Sequence, residues 1–558
     1  DTNYRLIKKR LSATGTNYAV PEEDIPGLAD EGNDPSLASG PAPVDEDTDI
    51  ARDTLLSWNP GINAVTNDVY LGMVRSDVND ATRDNPNGLL LAQDAPSEPL
   101  NPGLLDFGQT YFWRVDGIHS ENAASPWKGD VWSFTVEPYA YPVENIVATA
   151  SSQEKDTVGP ENTINGSGLV DDLHGIVPED MWLSGAVGPH WIRYDFDQVY
   201  YLSELQVWNS NQPGETAFGF GSRDVTIEVS TDGETWTTLD TVVFNQAPGT
   251  DGYAANTIID MKTTAAQYVR FNIASNYSIF ATQVGLSEVR FLYLPLGASQ
   301  PNPADGAVDV DPSTVLGWRA GRRAVVHEVH LDSDMAKVAD GSALRDTVEA
   351  TSFDTSSLGL ELGQEYYWKI NEVNDATVWE GAIWSFATSS FIPIDDMESY
   401  SANKPIWESW EDGYVIDDNG SQVGDDNGDP ERAIYLSPSQ SLPLHYDNST
   451  APTSKATYTL PEGERDWTRG GAAYLVINVY GDPNNSGGSL YATINDTKVP
   501  FNGSGNPLTV AEWTQWNIDL AAAGIKQDDV TTLAIGVDDA AAIGVAIIDD
   551  VLLYKVLP

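Results

Sequence analysis

Four acidic side chains in the last third of the chain could bind calcium. Asp396 and Glu398 stand two residues apart in the segment FIPIDDMESY, and Asp549 and Asp550 are adjacent in AIIDDVLLY. Residues two apart on a β-strand point to the same face. Calcium takes about 6–8 oxygen ligands, many of them carboxylates. The sequence therefore offers Asp396, Glu398, Asp549 and Asp550 as ligands of a structural calcium ion, with solvent-facing acids at a sheet edge as the alternative.

A second set of residues could bind a sugar. Glycan recognition needs an exposed aromatic face for the apolar side of the sugar ring and polar groups for its hydroxyls. Aromatic residues in turn-rich segments such as FGFGSR and SNYSIF meet the first need, although an exposed Phe suits a protein contact equally well. Core packing is the alternative for the tryptophans. The candidates are Asn209, Asn211, Phe218, Phe220, Arg223, Tyr277, Phe280, Trp407 and Trp410.

Residues for catalysis are harder to find. The sequence contains no HExxH, GxSxG, GxxxxGK[ST] or strand-linked GxGxxG pattern. His327 and His330 form the one close histidine pair. A spacing of three places them on opposite faces of a strand, so we interpret them as surface or edge histidines. We therefore predict that the chain is not an enzyme, and an enzyme built on a β-sandwich remains open as a third hypothesis.

The composition narrows the class of protein. The 558 residues predict between three and four domains at about 150 residues each. Hydrophobic residues make up 41%, with 17 Trp, which predicts a folded protein. No stretch approaches about 18 consecutive apolar residues, so no membrane insertion is predicted. The absence of Cys excludes disulfides, thiolate nucleophiles and Cys-ligated metals.

The charge balance excludes nucleic acid and anionic membranes as partners. The chain has 84 Asp and Glu against 29 Lys and Arg, a net charge of −55. Such a field repels nucleic acid and anionic lipid. Excess carboxylate and a first residue that is Asp rather than Met predict an exported protein, extracellular or on the cell surface. Residues 1–42 combine a small basic cluster with a Gly-, Pro- and acid-rich stretch, which predicts an extended N-terminal arm.

An internal repeat is the clearest pattern in the chain. LLSWNPG, LDFGQTYFWRVDGI and WSFTVEP recur as VLGWRAG, LELGQEYYWKINEV and WSFATSS. Alternating apolar and polar residues between turn signals predict antiparallel β-sandwiches. Both copies, 43–138 and 298–390, resemble fibronectin type III-like modules. The matching tryptophans, Trp58 with Trp318, Trp113 with Trp368 and Trp132 with Trp384, are predicted to be core residues.

The segment between the copies, 139–297, resembles the discoidin or factor 5/8 type C fold and related carbohydrate-binding modules. The blocks WIRYDFDQVYYLSELQVW and STDGETW carry this resemblance. It implies that loops at one end bind the ligand, which favours the candidates between Asn209 and Phe280. It also implies a calcium site near Asn162, Asn165, Asp171 and Asp172, where a long insertion departs from the family pattern.

The last segment, 391–558, resembles C-terminal jelly-roll domains of the carbohydrate-binding-module type. This resemblance implies that the first and closing strands run side by side and hold a calcium ion between them. The sequence as a whole thus predicts an all-β chain of four tandem β-sandwich domains behind an N-terminal arm.

Two functions fit this organisation. The first is a non-catalytic adhesive or structural protein, a cell-surface or filament subunit whose arm docks on an open sheet edge of a neighbouring copy. Its predicted partner is another copy of the chain or a cell-surface polymer. The second is the glycan-binding region of a secreted polysaccharide-degrading system.

Overall fold

The computed structural model describes residues 34–401, 404–414, 418–425, 428–449 and 451–558. They divide into two compact units, one formed by 34–296 with 321–323 and the other by 297–320 with the described residues from 324 onward. The chain is nearly all β, as predicted. Within the described ranges no helix is both long enough and apolar enough to cross a membrane.

The first unit begins with the first repeat, residues 39–136. Strand β1 pairs with β3, and the other strands form a five-stranded sheet in the order β2-β7-β6-β4-β5. The elements are β1 Ser39–Ala42, β2 Asp47–Ile50, β3 Ser57–Asn59, β4 Thr66–Gly72, helix α1 Arg75–Asp80, β5 Leu90–Ala95, β6 Thr110–Ile118 and β7 Val131–Val136.

The predicted arm, 1–42, extends too far into this repeat. Residues 1–33 lie outside the described part of the chain. Ser39 and Ala42 pair with β3, and the amide of Ile62 donates to the Pro35 carbonyl at 3.0 Å. At Gly61 a Cβ would lie 2.0 Å from the Ser36 carbonyl oxygen, so a residue without a side chain is needed for this close approach. The end of the predicted arm is therefore part of the folded repeat.

The central domain, residues 141–293, completes the first unit. Its main sheet has eight strands in the order β12-β17-β13-β16-β14-β15, with β8 on β17 and β9 on β13. The elements are β8 Tyr141–Pro142, β9 Ile146–Ala150, β10 Leu169–Val170, β11 Leu173–His174, β12 Trp182–Leu183, β13 His190–Asn209, α2 Glu215–Phe218, β14 Asp224–Ser230, β15 Thr237–Val243, β16 Thr257–Ile273 and β17 Gly285–Tyr293.

The central core is built by alternation along the long strands. Ile192, Tyr194 and Phe196 of β13 point inward, as do Val269 and Phe271 of β16. Trp182 is buried in this core, whereas Trp191 is only half-buried. This sheet is the scaffold from which the loops at its end project.

The second repeat, residues 299–388, lies in the second unit. Strands β18, β20 and β23 form one sheet, and a second sheet has the order β19-β26-β24-β21-β22 with β25 on β24. The elements are β18 Ser299–Asn302, β19 Ala307–Val310, β20 Val315–Arg319, β21 Val326–Asp332, α3 Met335–Ala339, β22 Leu344–Val348, β23 Ser352–Asp354, β24 Glu365–Asn374, β25 Thr377–Trp379 and β26 Trp384–Thr388.

The tryptophans that define the repeat are core residues in both copies, which confirms the prediction. All six are buried. Trp113 and Trp132 pack edge to face with ring centres 4.9 Å apart, and Trp368 and Trp384 do so at 4.8 Å. Edge-to-face contacts of this kind add to the stabilisation from burial. The same aromatic pair therefore holds each copy together.

The interpretation of His327 and His330 as surface residues is wrong. Both are buried, on opposite faces of β21. His327 Nδ1 is hydrogen-bonded to the buried carboxylate of Glu372, and its ring lies 5.4 Å from that of Trp318. His330 bonds to the Asn371 amide at 3.1 Å. Partners on the neighbouring strand β24, which the spacing rule cannot detect, allow both imidazoles to be buried.

The C-terminal domain, residues 391–554, is a sandwich of two sheets. Their strand orders are β29-β30-β37-β32-β35, with β27 on β37, and β28-β31-β36-β33-β34. The elements are β27 Phe391–Asp395, α4 Ile406–Ser409, β28 Trp410–Glu411, β29 Ser421–Val423, β30 Leu442–Asp447, β31 Ser454–Thr459, β32 Tyr474–Tyr480, β33 Ser489–Ile494, β34 Thr497–Pro500, β35 Trp513–Asp519, β36 Thr532–Asp538 and β37 Ile543–Tyr554.

Candidate functional site

Two loops of the central domain lie side by side at the end of its sheet. The 210–223 loop follows β13, and the 274–284 loop joins β16 to β17. The amide of Tyr277 donates to the Gly219 carbonyl at 3.0 Å, and that of Arg223 donates to the Ser275 carbonyl at 2.9 Å. These backbone bonds join the two loops into one surface.

Gly219 permits this close approach. Its φ is +71°, and a Cβ there would lie 2.5 Å from the carbonyl carbon of Tyr277. A side chain at this position would separate the loops, so the position requires glycine on both steric and conformational grounds. Because Gly219 lies between Phe218 and Phe220, it also fixes where those two rings emerge.

The side chains on this surface are largely apolar and exposed. Phe218 is 56% exposed, Phe280 81% and the adjacent Ile279 87%. Phe220 is half-buried beneath Phe218, with ring centres 6.4 Å apart and planes 19° from parallel. Large apolar groups this exposed on neighbouring loops are typical of binding surfaces. We call Phe218, Phe220, Arg223, Tyr277, Ile279 and Phe280 the loop patch.

Arg223 and Tyr277 supply the polar part of the loop patch. The guanidinium carbon of Arg223 lies 5.8 Å from the centre of the Tyr277 ring, and one of its nitrogens is 3.8 Å from a carboxylate oxygen of Asp224. The Tyr277 hydroxyl donates to the Phe244 carbonyl at 2.6 Å, which fixes the ring. The half-exposed guanidinium therefore has donors available beside the aromatic side chains.

Asn209 and Asn211 do not face a ligand, contrary to the prediction. Both are fully buried. The Asn209 amide donates to the carbonyls of Ser222 and Asn245 at 2.7 and 2.9 Å. The Asn211 amide donates to two other loop carbonyls at 2.7 and 3.0 Å. The loops close over these side chains, so the two amides position the loop patch instead of contacting what binds to it.

Glu215 is a further positioning residue, which sequence reasoning missed. Its buried carboxylate accepts the amides of Gly221 at 2.8 Å and Phe220 at 3.2 Å. Burial raises the pKa of Glu215 to about 7. No sequence pattern indicates Glu215, since one Glu among 84 acidic residues is not distinctive. Gly219 and Ile279, in contrast, stood beside predicted residues in FGFGSR and SNYSIF.

The predicted aromatic platform of the C-terminal domain is not present as expected. Trp410 is fully buried, and its indole nitrogen donates to Asp395 at 2.8 Å. Trp407 is half-buried on the short helix α4. The alternative of core packing therefore holds for Trp410, because a buried carboxylate satisfies its polar atom.

The first pair of predicted calcium ligands lies beyond a strand rather than on it. Strand β27 ends at Asp395, and Met397 has a φ of +64°, so Asp396 and Glu398 belong to a turn. The Glu398 carboxylate accepts the amide of Ser439 at 3.0 Å and also its hydroxyl. The prediction that the pair shares a strand face is wrong because the backbone turns at Met397.

The second pair lies nearby on β37. Asp549 is buried and accepts the amide of Leu436 at 2.6 Å. Burial raises its pKa to about 7. Burial and then the negative charges of Asp396 and Glu398 raise the pKa of Asp550 to about 6. The four predicted ligands thus share one neighbourhood, but among the residues with described positions no three His, Cys, Asp or Glu side chains form a group that could hold a metal ion. Calcium here stays a prediction.

The central domain contains a buried carboxylate with an unpartnered oxygen. Glu288 on β17 is buried, and its Oε2 has no hydrogen-bond partner in the described part of the chain. Burial raises its pKa to about 8. The expected neighbours Asn162 and Asp172 are engaged otherwise, Asp172 with Arg290 at 2.7 Å. The calcium site expected near Asn162, Asn165, Asp171 and Asp172 therefore stays a prediction.

Comparison with known proteins identifies the class of the central domain. Residues 147–283 match the F5/8 type C domain model. The matched range contains the loop patch and both loops up to Gln283. The central domain is therefore of the F5/8 type C, or discoidin-like, class. No curated protein matches the chain.

Solved structures similar to part of the chain include three of this class. CBM32-3 from a family 31 glycoside hydrolase of Clostridium perfringens is 21% identical, covering 28% of this chain and 95% of its own, with a TM-score of 0.22. An F5/8 type C domain from Bacteroides fragilis is 17% identical, with coverages of 28% and 95% and a TM-score of 0.22. The CBM32 of AlyQ, in complex with 4,5-unsaturated mannuronic acid, is 18% identical, with coverages of 27% and 97% and a TM-score of 0.21.

Larger proteins match over one domain only. The chain spans 14% of the length of a family 89 glycoside hydrolase from Clostridium perfringens, solved with PUGNAc, at 17% identity, 27% coverage of this chain and a TM-score of 0.20.

Proposed function

We propose that this chain is a non-catalytic glycan-binding protein of a secreted polysaccharide-degrading system, and that the loop patch of the central domain is its binding surface. The observation that carries the proposal is the pair of exposed rings of Phe218 and Phe280 on two joined loops that also present the Arg223 guanidinium against Tyr277, in a domain of the F5/8 type C class. Aromatic faces contact the apolar side of sugar rings, and guanidinium donors bond to hydroxyl oxygens.

The rigidity of the loops supports this function. A ligand that binds a preorganised surface loses less free energy to ordering the protein. Here the buried amides of Asn209 and Asn211 and the carboxylate of Glu215 hold the loop backbones before any ligand arrives. The adhesive or filament hypothesis receives less support, because Ser39–Ala42 of the predicted arm already pair within the first repeat.

A glycan array followed by titration tests the proposal. We expect the full chain to retain at least one glycan, and F218A and F280A each to lower the affinity for it at least about tenfold, which equals about 1.4 kcal/mol. The matched control is I258A, which removes an apolar side chain about as exposed as Phe218 from β16 rather than from a loop. Retention of no glycan, or equal affinity in F218A, F280A and the wild type, would refute this function.

A further inference from the structure

The C-terminal domain carries a groove on the outer face of its larger sheet. Successive side chains of a strand point to opposite faces. On β30, Leu444 and Tyr446 belong to the hydrophobic core, so Pro443 and His445 point outward. On β37, Ala546 and Ile548 belong to the core, so Val545 and Ile547 point outward. These outward residues form the floor of the groove.

The floor runs across three adjacent strands. Ile547 is in register with Pro443 of β30 on one side and with Tyr480 of β32 on the other. Two strand spacings give this row a width of about 10 Å. Ile547 is only 5% exposed although it lies on the outer face, so the groove is recessed rather than flat. The Tyr480 ring is held by Trp513, with ring centres 5.5 Å apart.

Fixed walls flank this floor. On one side, Glu431 accepts the amide of Ala433 at 2.5 Å, and the segment that follows is held by the bond from Leu436 to Asp549. On the other side, a Cβ at Gly481 would lie 2.3 Å from the Pro507 carbonyl oxygen, so glycine is required there. The open groove has a volume of about 410 Å³, within the range of about 300–1,000 Å³ found for small-molecule sites.

The chemistry of the groove limits which class of ligand can bind there. Strands β30, β37 and β32 are paired on both sides, so an extended peptide cannot join the sheet through backbone bonds here. The apolar floor and the Tyr480 ring offer contacts for the C–H face of a sugar. Asp425, Glu431 and Asp482 line the groove, and carboxylates accept hydrogen bonds from hydroxyls but repel other anions.

We propose that this groove is a second binding site, which takes a short stretch of a neutral polysaccharide and rejects uronate or sulfated chains. His445 adds a hydrogen-bonding imidazole beside the apolar floor. The site lies in a different domain from the loop patch and shares no residue with it. It stands whether or not the loop patch binds glycans.

Titration calorimetry on the full chain carrying F218A and F280A tests this site apart from the loop patch. The probes are cellohexaose, laminarihexaose and mannohexaose as neutral chains and hexagalacturonate as the anionic one. We expect at least one neutral probe to bind with a Kd below about 1 mM and hexagalacturonate not to bind. Y480L, which keeps an apolar side chain, should weaken binding at least tenfold, and V545R should abolish it by filling the floor.

The control is Y414A, which removes an exposed tyrosine of the same domain that does not line the groove. Circular dichroism and the melting temperature establish that each variant is folded. V545R changes an outward-facing side chain and leaves the core intact, so it still tests the site if Y480L fails to fold. Three results overturn the proposal: no neutral probe binds, hexagalacturonate binds as well as the neutral probes, or folded V545R binds like the parent.

Discussion

At the scale of single residues, Glu215 links the loop patch to pH. Its pKa is about 7 in the folded protein against an ordinary value of 4.5, because burial disfavours the charged form. A raised folded-state pKa stabilises the fold fully below the unfolded value, and this contribution is lost as pH rises through the folded value. We expect the melting temperature of the central domain to fall between pH 4.5 and 8.

Scanning calorimetry across this pH range checks the prediction, with E215Q as the variant. Gln cannot ionise, so the slope attributable to Glu215 should disappear in E215Q. The single hydrogen bond that Gln cannot replace should cost about 1 kcal/mol at low pH. An identical pH slope in E215Q and the wild type would contradict the assignment.

Asn211 supports a second residue-scale prediction. Its buried amide joins three chain segments, because it donates to two loop carbonyls and accepts the amide of Gly249 at 2.8 Å. N211A leaves these groups unsatisfied, and we expect it to lower the free energy of unfolding by about 1–3 kcal/mol. Urea denaturation measures this value, and N165A, at an exposed position, is the control. A change in N211A no larger than that in N165A would show that the amide is dispensable.

Residue types alone located only part of this site. Phe218 and Phe280 were found because aromatic residues among glycines and polar residues indicate an exposed loop. Asn209 and Asn211 looked like ligand-facing amides, and only the path of the surrounding loops shows that they are covered. Burial of a polar group in a loop depends on contacts distant in sequence, which no local pattern contains.

At the scale of elements, the pairing of β27 with β37 places two carboxylates, one just after β27 and one on β37, next to the same loop segment. Glu398 and Asp549 accept hydrogen bonds from backbone amides of the 436–440 segment, so they hold one wall of the groove in place. Removing Glu398 leaves the amide of the buried Gln440 without this partner, and removing Asp549 does the same to the part-buried amide of Leu436. We expect E398A and D549A each to destabilise the C-terminal domain by about 1–3 kcal/mol, measured by chemical denaturation.

Removal of calcium with EDTA distinguishes this structural role of Glu398 and Asp549 from the calcium-binding role predicted from the sequence. If the carboxylates only hold the 436–440 segment in place, EDTA leaves the melting temperature of the C-terminal domain unchanged, and E398A and D549A remain destabilised. If they also bind calcium, the ion relieves the repulsion among Asp396, Glu398 and Asp550, and EDTA lowers the wild-type melting temperature. D396A, which removes an exposed carboxylate, should then lose the EDTA effect.

The elements themselves were largely predictable, and the exceptions have identifiable causes. Buried tryptophans and Asp-Gly turns mark strands and hairpins by local chemistry, as at Asp232-Gly233, where the Asp232 carboxylate accepts the amides of Glu234 and Thr235. Strand β1 was missed because SGPAP has the composition of a linker. Its counterpart SQPNP begins the second repeat at β18, and comparing the two copies would have moved the boundary.

At the scale of the whole molecule, the net charge of −55 should decide between classes of polysaccharide. Both candidate sites lie within this field, and Arg223 is the single cation of the loop patch. The Debye length falls from about 30 Å at 0.01 M salt to about 3 Å at 1 M. We expect polygalacturonate binding to be weak at low salt and to strengthen with added salt, whereas binding of a neutral glycan stays constant.

Affinity measurements over this salt range, with the neutral glycan selected on the array, check the prediction. R223Q separates the local charge from the global one: it should weaken any anionic binding at every salt concentration without changing the direction of the salt dependence. Anionic binding that is strongest at low salt would mean that Arg223 outweighs the surrounding carboxylates. The molecule would then select acidic glycans through a local positive site despite its overall charge.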